Sequence, residues 1–321
     1  MHPGITSWKN LLNYAYNAFS TPLLLRTLFA PWQMDRAEGA NFSFIEKVAF
    51  AVVSRLIGFV ARVILIILGL WFTFLVLLSF PIFLLVPFKI SEESLIRSDS
   101  FGASLSYGNT YVLNKHSRDL CSPAAKKIYG KDKALRMIER GLSKDTNHNV
   151  LLVGETGVGK SSLCEYLGRL GRSGLSFPGI RHHRVVELEI EGITLEDLDA
   201  ALHQAEKAGN VILVIKNIHG YESAYQRILP YLTRPHLGII ATTDYANYDQ
   251  VLKNHPEFLS KFEKVDLLPS GPEDTLAILK NTAEITHTRI QSDALAEIVR
   301  LSERFIGNQP EPMKSIAVLE E

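Results

Sequence analysis

The chain has 321 residues with 34 basic and 34 acidic side chains, so its formal net charge is zero. This length suffices for about two domains, and the charge balance gives no sign of nucleic-acid binding. Its two cysteines, Cys121 and Cys164, are too few for a disulfide framework, and no Cys/His cluster indicates zinc.

The first 90 residues differ from the remainder because Leu, Phe, Ile and Val dominate them. Residues 63–88 form a run of 26 residues without a charge. A helix of that length measures about 39 Å, more than the roughly 30 Å of a bilayer's hydrocarbon core. A buried core helix is the alternative, but such helices rarely run so long without charge. We therefore predict membrane helices within residues 44–90, as a span or a hairpin.

Upstream of this run, the pattern indicates helices at the membrane surface. Lys47, Arg55 and Arg62 are spaced eight and seven residues apart, so they share a helical face and are expected to snorkel to headgroups. Residues 1–43 form a predicted amphipathic, interfacial segment; packing on the soluble domain is the alternative. Its polar face is Asn10, Asn13, Asn17 and Ser20, and its interfacial aromatic residues are Trp8, Tyr14, Tyr16 and Trp32.

The distribution of basic residues bears on the topology. Residues 1–62 carry six Lys and Arg, which favours a cytoplasmic location for them. A soluble domain on the same side requires a hairpin, with a first pass ending near Phe72–Phe74 and a second, kinked at Pro81, ending near Phe88. We favour this hairpin, although it places Arg62 within the first pass.

A phosphate-binding motif follows a polar linker, residues 91–112. An apolar run at 150–153 leads into GETGVGKSS, and a helix with apolar Leu163 and Leu167 begins after it. This strand–loop–helix context is the one that GxxxxGK[ST] requires. The glycines let backbone N–H groups turn toward phosphate oxygens, and the helix N-terminus adds positive potential. The predicted nucleotide-binding residues are Gly154, Glu155, Thr156, Gly157, Val158, Gly159, Lys160, Ser161 and Ser162.

This motif predicts ATP or ADP as the ligand. Lys160 is expected to reach the β- and γ-phosphates, and Ser161 to ligate Mg²⁺.

Three further stretches surround the motif in a consistent order. They are LNKHSRDLCSPAAKKIYGKDKALRMIERGLSK before it, ILPYLTRPHLGIIATTDY after it, and GPEDTLAILKNTAE with ALAEIVRLSERFIGNQPEPMKSIAVLEE near the C-terminus. With them, residues 113–321 resemble the first ATPase domain of Clp-family AAA+ unfoldases. The resemblance implies an α/β P-loop AAA+ domain at 113–268, with a parallel sheet flanked by helices, and a small helical lid at 269–321. It makes Thr242 and Thr243 sensor candidates and retains Lys314 in the lid.

The chain departs from this family at the positions that the resemblance makes catalytic. In VILVIKNIHG (211–220), Lys216 and Asn217 replace an Asp-Glu pair. That Asp holds the Mg²⁺ shell and the Glu polarises the attacking water. Asn217 cannot take a proton, while Lys216 either neutralises phosphate charge itself or turns outward. Ser260 and Lys261 replace an arginine pair, and lysine lacks the planar fork that grips phosphate.

We therefore expect a membrane-anchored AAA+ protein that binds ATP or ADP, with weakened Mg²⁺ binding and impaired hydrolysis. With its AAA+ domain in the cytoplasm, it would act as a nucleotide-gated switch or as the partner subunit of another protein, an active AAA+ subunit being one candidate. The expected partners include the lipid bilayer and exclude nucleic acid.

Two alternatives remain open. A slow or unconventional AAA+ ATPase, in a mixed or homo-oligomeric ring, would need a displaced carboxylate. Glu187, Glu189 and Glu191 alternate along one strand face, and Glu222 is a further candidate. The other alternative is a structural membrane adaptor whose P-loop is a relic.

Overall fold

A computed structural model describes residues 44–85, 110–120, 128–144, 146–173, 176–177, 180–181, 183–235, 237–285 and 290–320. It also describes residues 5, 7–9, 11–12, 15, 19, 24–25 and 28–29. The predictions for Asn10, Asn13, Tyr14, Tyr16, Asn17, Ser20, Trp32 and Cys121, and for most of the linker 91–112, lie outside these residues.

The apolar region forms one long helix, α1 (Phe44–Leu78), and a short one, α2 (Phe80–Leu85). Within the described residues, one stretch, Val52–Leu78, is long and apolar enough to cross a membrane, with a mean hydropathy of 2.6. The hairpin prediction is wrong in one respect, because α1 continues without a break through Phe72–Phe74. The interruption falls at Ser79, where Pro81 lacks the N–H that a continuing helix would need.

The described N-terminal residues lie along α1 in the opposite direction. The indole Nε1 of Trp8 donates a hydrogen bond to the Val76 carbonyl at 2.9 Å. The Phe29 ring stacks on Phe59 with 5.6 Å between centroids. This packing corrects one prediction: Arg55 is exposed, but Arg62 is fully buried by protein and does not snorkel.

A six-stranded sheet forms the centre of the soluble part, in the order β1-β3-β4-β5-β2-β6. Strand β1 is antiparallel to β3, and the other pairings are parallel. The strands are β1 Ser117–Asp119, β2 Val150–Val153, β3 Arg184–Leu188, β4 Val211–Ile215, β5 Leu237–Thr243 and β6 Glu263–Asp266. The carboxyl ends of the parallel strands meet at one edge, where ligands bind in such sheets.

Ten further helices surround the sheet or follow it within the described residues. They are α3 Tyr111–Lys115, α4 Asp132–Leu142, α5 Lys160–Ser173, α6 Leu195–Ala208, α7 Glu222–Ile228, α8 Tyr245–Gln250, α9 Pro256–Leu259, α10 Pro272–Ile285, α11 Ser292–Phe305 and α12 Met313–Glu320.

The period-two alternation of the strands divides the core between the two faces of the sheet. Leu151 and Val153 pack with α6 residues such as Leu202 on one face. Leu152 packs with α5 residues such as Leu163 on the other face. The last three helices, α10 to α12, have a small core of their own around Leu279, Leu295 and Val299.

A buried asparagine joins the start of β2 to its neighbours. The Nδ2 of Asn149 donates to the carbonyls of Leu232 at 2.7 Å and Lys261 at 3.2 Å. Its Oδ1 accepts from the Ile239 N–H at 3.1 Å. Asn149 is fully buried, so no water replaces these bonds when the side chain is removed.

We expect Asn149→Ala to lower the free energy of unfolding by about 2–4 kcal/mol, because each buried backbone group left unpaired costs about 1–3 kcal/mol. Thr194→Ala is the control, since Thr194 caps α6 by accepting from the Asp197 N–H and such a cap contributes about 1 kcal/mol. Urea unfolding of the full chain in detergent, followed by circular dichroism, measures both. A cost no larger than that of Thr194→Ala would contradict the expectation.

Candidate functional site

The glycines of the P-loop are required by its geometry. Residues 154–159 connect β2 to α5, and Gly157 has φ 97°, a backbone conformation that residues with side chains rarely adopt. A Cβ on Gly154 would lie 2.6 Å from the Leu267 carbonyl oxygen, which only glycine avoids. Val158 is fully buried in the core, whereas Thr156, Ser161 and other residues of the loop are exposed. The loop therefore presents backbone and hydroxyl groups at the N-terminus of α5, as phosphate binding requires.

The P-loop lysine lies over its own loop. The Nζ of Lys160 donates hydrogen bonds to the carbonyls of Gly154 and Glu155, the latter at 2.9 Å. Burial lowers the pKa of Lys160, although the nearby carboxylates of Asp244 and Glu155 act in the opposite direction.

The carboxyl end of β4 carries an ion pair in place of an acidic pair. The Nζ of Lys216 lies 2.7 Å from Oε1 of Glu187 on β3, and Arg118 on β1 lies 2.9 Å from Oε2 of the same carboxylate. The alternation of both strands directs Lys216 and Glu187 to the face covered by α5, close to Cys164. This geometry disfavours two expectations: Lys216 is engaged by Glu187 rather than free to neutralise phosphate, and Glu187 is bound by two cations rather than free to act as a base.

Asn217 occupies a left-handed backbone conformation directly after the ion pair. Its φ is 48° and its ψ is 48°, a region that asparagine tolerates better than most residues. Its N–H donates to the Thr242 hydroxyl at 3.1 Å, and its side chain is exposed. An amide at this position can hold a water molecule but cannot remove its proton.

The two sensor candidates lie at the end of β5, next to the P-loop strand. Thr242 and Thr243 are buried and pair in register with Leu152 and Val153 of β2. The Thr243 hydroxyl lies 3.0 Å from Nδ1 of His219.

The remaining candidates are distributed more widely. Glu222 lies 3.3 Å from Nε2 of His255. The prediction that Glu187, Glu189 and Glu191 share one strand face is wrong for the last two, because β3 ends at Leu188 and both are exposed in the segment that follows it. Ser260 and Lys261 follow α9, and the Ser260 hydroxyl donates to the Glu257 carbonyl at 2.8 Å. Lys314 is buried within the lid, where its Nζ donates to the Ile306 carbonyl at 3.3 Å and lies 3.7 Å from Glu311.

A cavity of about 120 Å³ adjoins the P-loop and was not evident from the sequence. Val158, Gly159 and Ser162 form one wall, and the lid contributes polar groups from Asn281 and Thr282. The other lining residues are Ile128, Tyr129, Lys131, Ser270, Ile278, Pro312 and Ile316. Mixed apolar and polar walls beside a phosphate cradle suit a nucleoside. Ile128, Tyr129 and Lys131 come from the stretch IYGKDK, which is part of the family resemblance. That stretch was the signal that could have predicted these lining residues.

The lid also contacts the P-loop directly. A Cβ on Gly157 would collide with the side chain of Met313, the first residue of α12. The cradle thus fits a nucleotide, with the lid against it. For Mg²⁺, Ser161 offers an exposed hydroxyl, whereas β4 ends in a cation and supplies no carboxylate.

Comparisons with known proteins agree with this architecture. No protein-family model matches the chain. The chain is 28 % identical over 268 residues to the chaperone protein ClpB of Nitratidesulfovibrio vulgaris, covering 73 % of this chain and 31 % of that protein. It is 29 % identical over 241 residues to ClpB of Clostridium tetani, covering 67 % and 28 % respectively.

Among solved structures, a closed-state cryo-EM reconstruction of Hsp104 with ATPγS and FITC casein has a TM-score of 0.60 at 22 % identity, covering 65 % of this chain and 40 % of that chain. The S. cerevisiae Hsp104–ADP complex gives the same TM-score and identity, covering 65 % and 33 %. The chain is similar to the Clp-family AAA+ ATPases.

The similarity extends over only part of these relatives, because the chain spans less than a third of the length of the two ClpB proteins. The AAA+ fold accounts for the strand order and for the position of the P-loop between β2 and α5. The comparisons give no information on the ion pair at the end of β4 or on the apolar helix α1. Both are observed only in the structure of this chain.

The ion pair should be energetically coupled. In a double-mutant cycle with Lys216→Met and Glu187→Gln, we expect a coupling free energy of about 1–2 kcal/mol, since contacting charges typically couple by 0.5–3 kcal/mol. The Lys216 and Glu187 side chains are 32 % and 13 % exposed, so water screens them only partly. Urea unfolding of the four proteins measures the coupling.

The matched control is the pair Arg227–Asp199, with 2.8 Å between the charged atoms and both side chains more exposed. Its coupling is expected to be below about 0.5 kcal/mol, as for most surface pairs. Equal coupling in the two cycles would show that Lys216–Glu187 is an ordinary surface contact.

Proposed function

We propose that this chain is a membrane-anchored AAA+ protein that binds ATP or ADP at its P-loop and hydrolyses ATP poorly. The observation that carries the proposal is the Lys216–Glu187 ion pair, which stands where hydrolysis requires carboxylates.

Binding is supported by the cradle and the adjoining cavity. Backbone amides, the α5 N-terminus and Lys160 together provide positive potential for phosphates. The cavity beside Gly159 and Ser162, of about 120 Å³, offers apolar and polar walls to part of a nucleoside. Two structures of Hsp104 to which this chain is similar contain ATPγS and ADP.

Weak hydrolysis follows from the groups at the strand ends. Asn217 cannot act as a general base, and Glu187 is held by Lys216 and Arg118. Ser260 and Lys261 would replace an arginine finger, whose contribution is a factor of about 10³–10⁵ in rate. Each change removes a separate part of the catalytic machinery, so their effects combine.

Nucleotide occupancy would act on the lid. Met313 lies against Gly157, and lid residues Asn281 and Thr282 line the cavity, so a ligand there contacts both parts at once. A lid arrangement that binds ATP tenfold better gains about 1.4 kcal/mol when ATP binds. This is sufficient for a modest switch that presents or withdraws a surface to a protein partner.

Membrane anchoring is proposed from α1. Leu56, Ile67, Leu70 and Trp71 are each about 60 % exposed, which is costly in water but favourable in lipid. Trp8 lies beside Val76, at the end of α1 from which the chain continues toward the soluble part. We propose that this end of α1 lies on the cytoplasmic side, where ATP is supplied.

A second candidate is an active subunit in a mixed or homo-oligomeric ring. It is favoured by the similarity to ClpB, a chaperone, and to Hsp104, whose structures include casein. In a mixed ring, the partner would be an active AAA+ subunit that supplies the missing catalytic groups; a homo-oligomeric ring would need a displaced carboxylate of this chain.

The nucleotide proposal predicts binding without turnover. Purified full chain in detergent should gain thermal stability on adding ATP, by about 2.7 kcal/mol at a hundredfold excess over Kd. Phosphate release should stay at background, and Lys160→Ala should abolish the stabilisation because it removes the cation that holds the phosphates. Turnover that disappears in Lys160→Ala would overturn the proposal in favour of an active ATPase.

The membrane proposal predicts a depth-dependent cost for a charge on α1. Leu70→Arg should reduce membrane insertion by about 2.5–3.5 kcal/mol, because arginine is disfavoured at the centre of a spanning helix. Val52→Arg, similarly exposed but at the end of the apolar stretch, should cost much less because its side chain snorkels. The fraction of chain resisting alkaline extraction measures both. Recovery of the wild type and of both variants in the soluble fraction after alkaline extraction would refute anchoring.

A further inference from the structure

The end of β4 lacks a carboxylate for a divalent cation, but a carboxylate follows the neighbouring strand. Asp244 comes directly after Thr243, the last residue of β5. Thr243 pairs in register with Val153, and the Gly154 N–H donates to the Thr243 carbonyl at 3.2 Å. Asp244 therefore lies across from the point where the P-loop leaves the sheet.

The surroundings of Asp244 connect it to the phosphate site. Its carboxylate lies close enough to interact electrostatically with Lys160 of the P-loop and with His219, which follows β4. Thr243 Oγ1 also lies 3.0 Å from Nδ1 of His219. Asp244 is thus within electrostatic range of both the P-loop lysine and His219, which follows the end of β4.

The carboxylate is held in place but retains coordinating capacity. Its Oδ1 accepts from the Asn247 N–H at 2.8 Å, and its Oδ2 accepts from the Asn247 side-chain Nδ2 at 2.7 Å. An ionised carboxylate has about four lone-pair sites, so two remain. Burial alone would raise the pKa of Asp244, but these hydrogen bonds and the two nearby basic groups lower it, which keeps the group ionised.

We infer that Asp244 supplies the carboxylate for the divalent cation that accompanies nucleotide phosphates, a role that β4 no longer performs. Mg²⁺ keeps several waters and is commonly bound through one or two carboxylates plus substrate phosphates, so one carboxylate suffices. The inference rests on the proposed nucleotide binding. It assigns the Mg²⁺ dependence of that binding to the residue that directly follows β5.

Glu155 is the competing carboxylate near Lys160. It also interacts with Tyr245, whose ring lies toward Lys264 and Asp266 of β6, on the other side of β2. Asp244 instead interacts with His219, on the side where the acidic pair is missing.

The experiment compares ATP affinity with Mg²⁺ and with EDTA, using full chain in detergent. Asp244→Asn preserves the cap of α8, since asparagine caps helices as well as aspartate, and removes only the charge. We expect wild type to bind ATP more tightly with Mg²⁺, and Asp244→Asn to need at least about tenfold more Mg²⁺ for the same gain. Affinity in EDTA should not fall in the variant.

The matched control is Asp266→Asn at the end of β6, the other neighbour of β2, which should keep the wild-type Mg²⁺ response. Glu155→Gln tests the competing carboxylate of the P-loop. Three outcomes would each overturn the inference while leaving nucleotide binding intact. They are a wild-type Mg²⁺ response in Asp244→Asn, a loss of the Mg²⁺ response in Glu155→Gln instead, and ATP binding by the wild type that does not depend on Mg²⁺. Absence of ATP binding in the wild type would refute the proposed function, and the inference with it.

Discussion

The electrostatic balance beneath helix α5 governs the site. Lys216 and Glu187 reach the same face of the sheet because β3 and β4 pair in parallel and alternate in phase. Once a cation occupies the end of β4, a nearby anion must neutralise it, since a half-buried lysine without a partner is costly. Glu187 meets this need, and Glu165, 3.5 Å from Arg118, offsets the second cation on the Glu187 carboxylate. The groups available to a bound nucleotide are those that do not take part in this ion-pair network.

The phosphate cradle and the end of β4 are built from different parts of the chain. The P-loop depends on backbone conformation at Gly157, on the close approach at Gly154 and on the α5 N-terminus. None of these involves the β4 side chains. The lid, with its own small core, reaches the cradle through Met313. The geometry of the cradle and its contact with the lid are therefore compatible with many different residues at the end of β4.

Much of the soluble fold could be predicted from the sequence. The strand–loop–helix pattern around GETGVGKSS predicted β2 and α5. The alternation of residues around Glu187 predicted that its side chain lies on a strand face. The engagement of Glu187 by Lys216 could not be predicted, because strand order and register determine which side chains meet. Asp244 was missed for the same reason: its importance comes from lying beside the end of β2 rather than from a sequence motif. Periodicity likewise failed to locate the break in the apolar region, which a proline two residues beyond Ser79 determines.

The backbone at Asn217 limits which residues the end of β4 accepts. Asparagine tolerates the left-handed conformation, whereas glutamate there would be strained by roughly 1–2 kcal/mol. An aspartate introduced at position 216 alone would place two carboxylates against each other, with Arg118 as their shared counter-ion. Either single change toward an acidic pair would therefore lower the stability of the strand end, so both positions and their surroundings would have to change together.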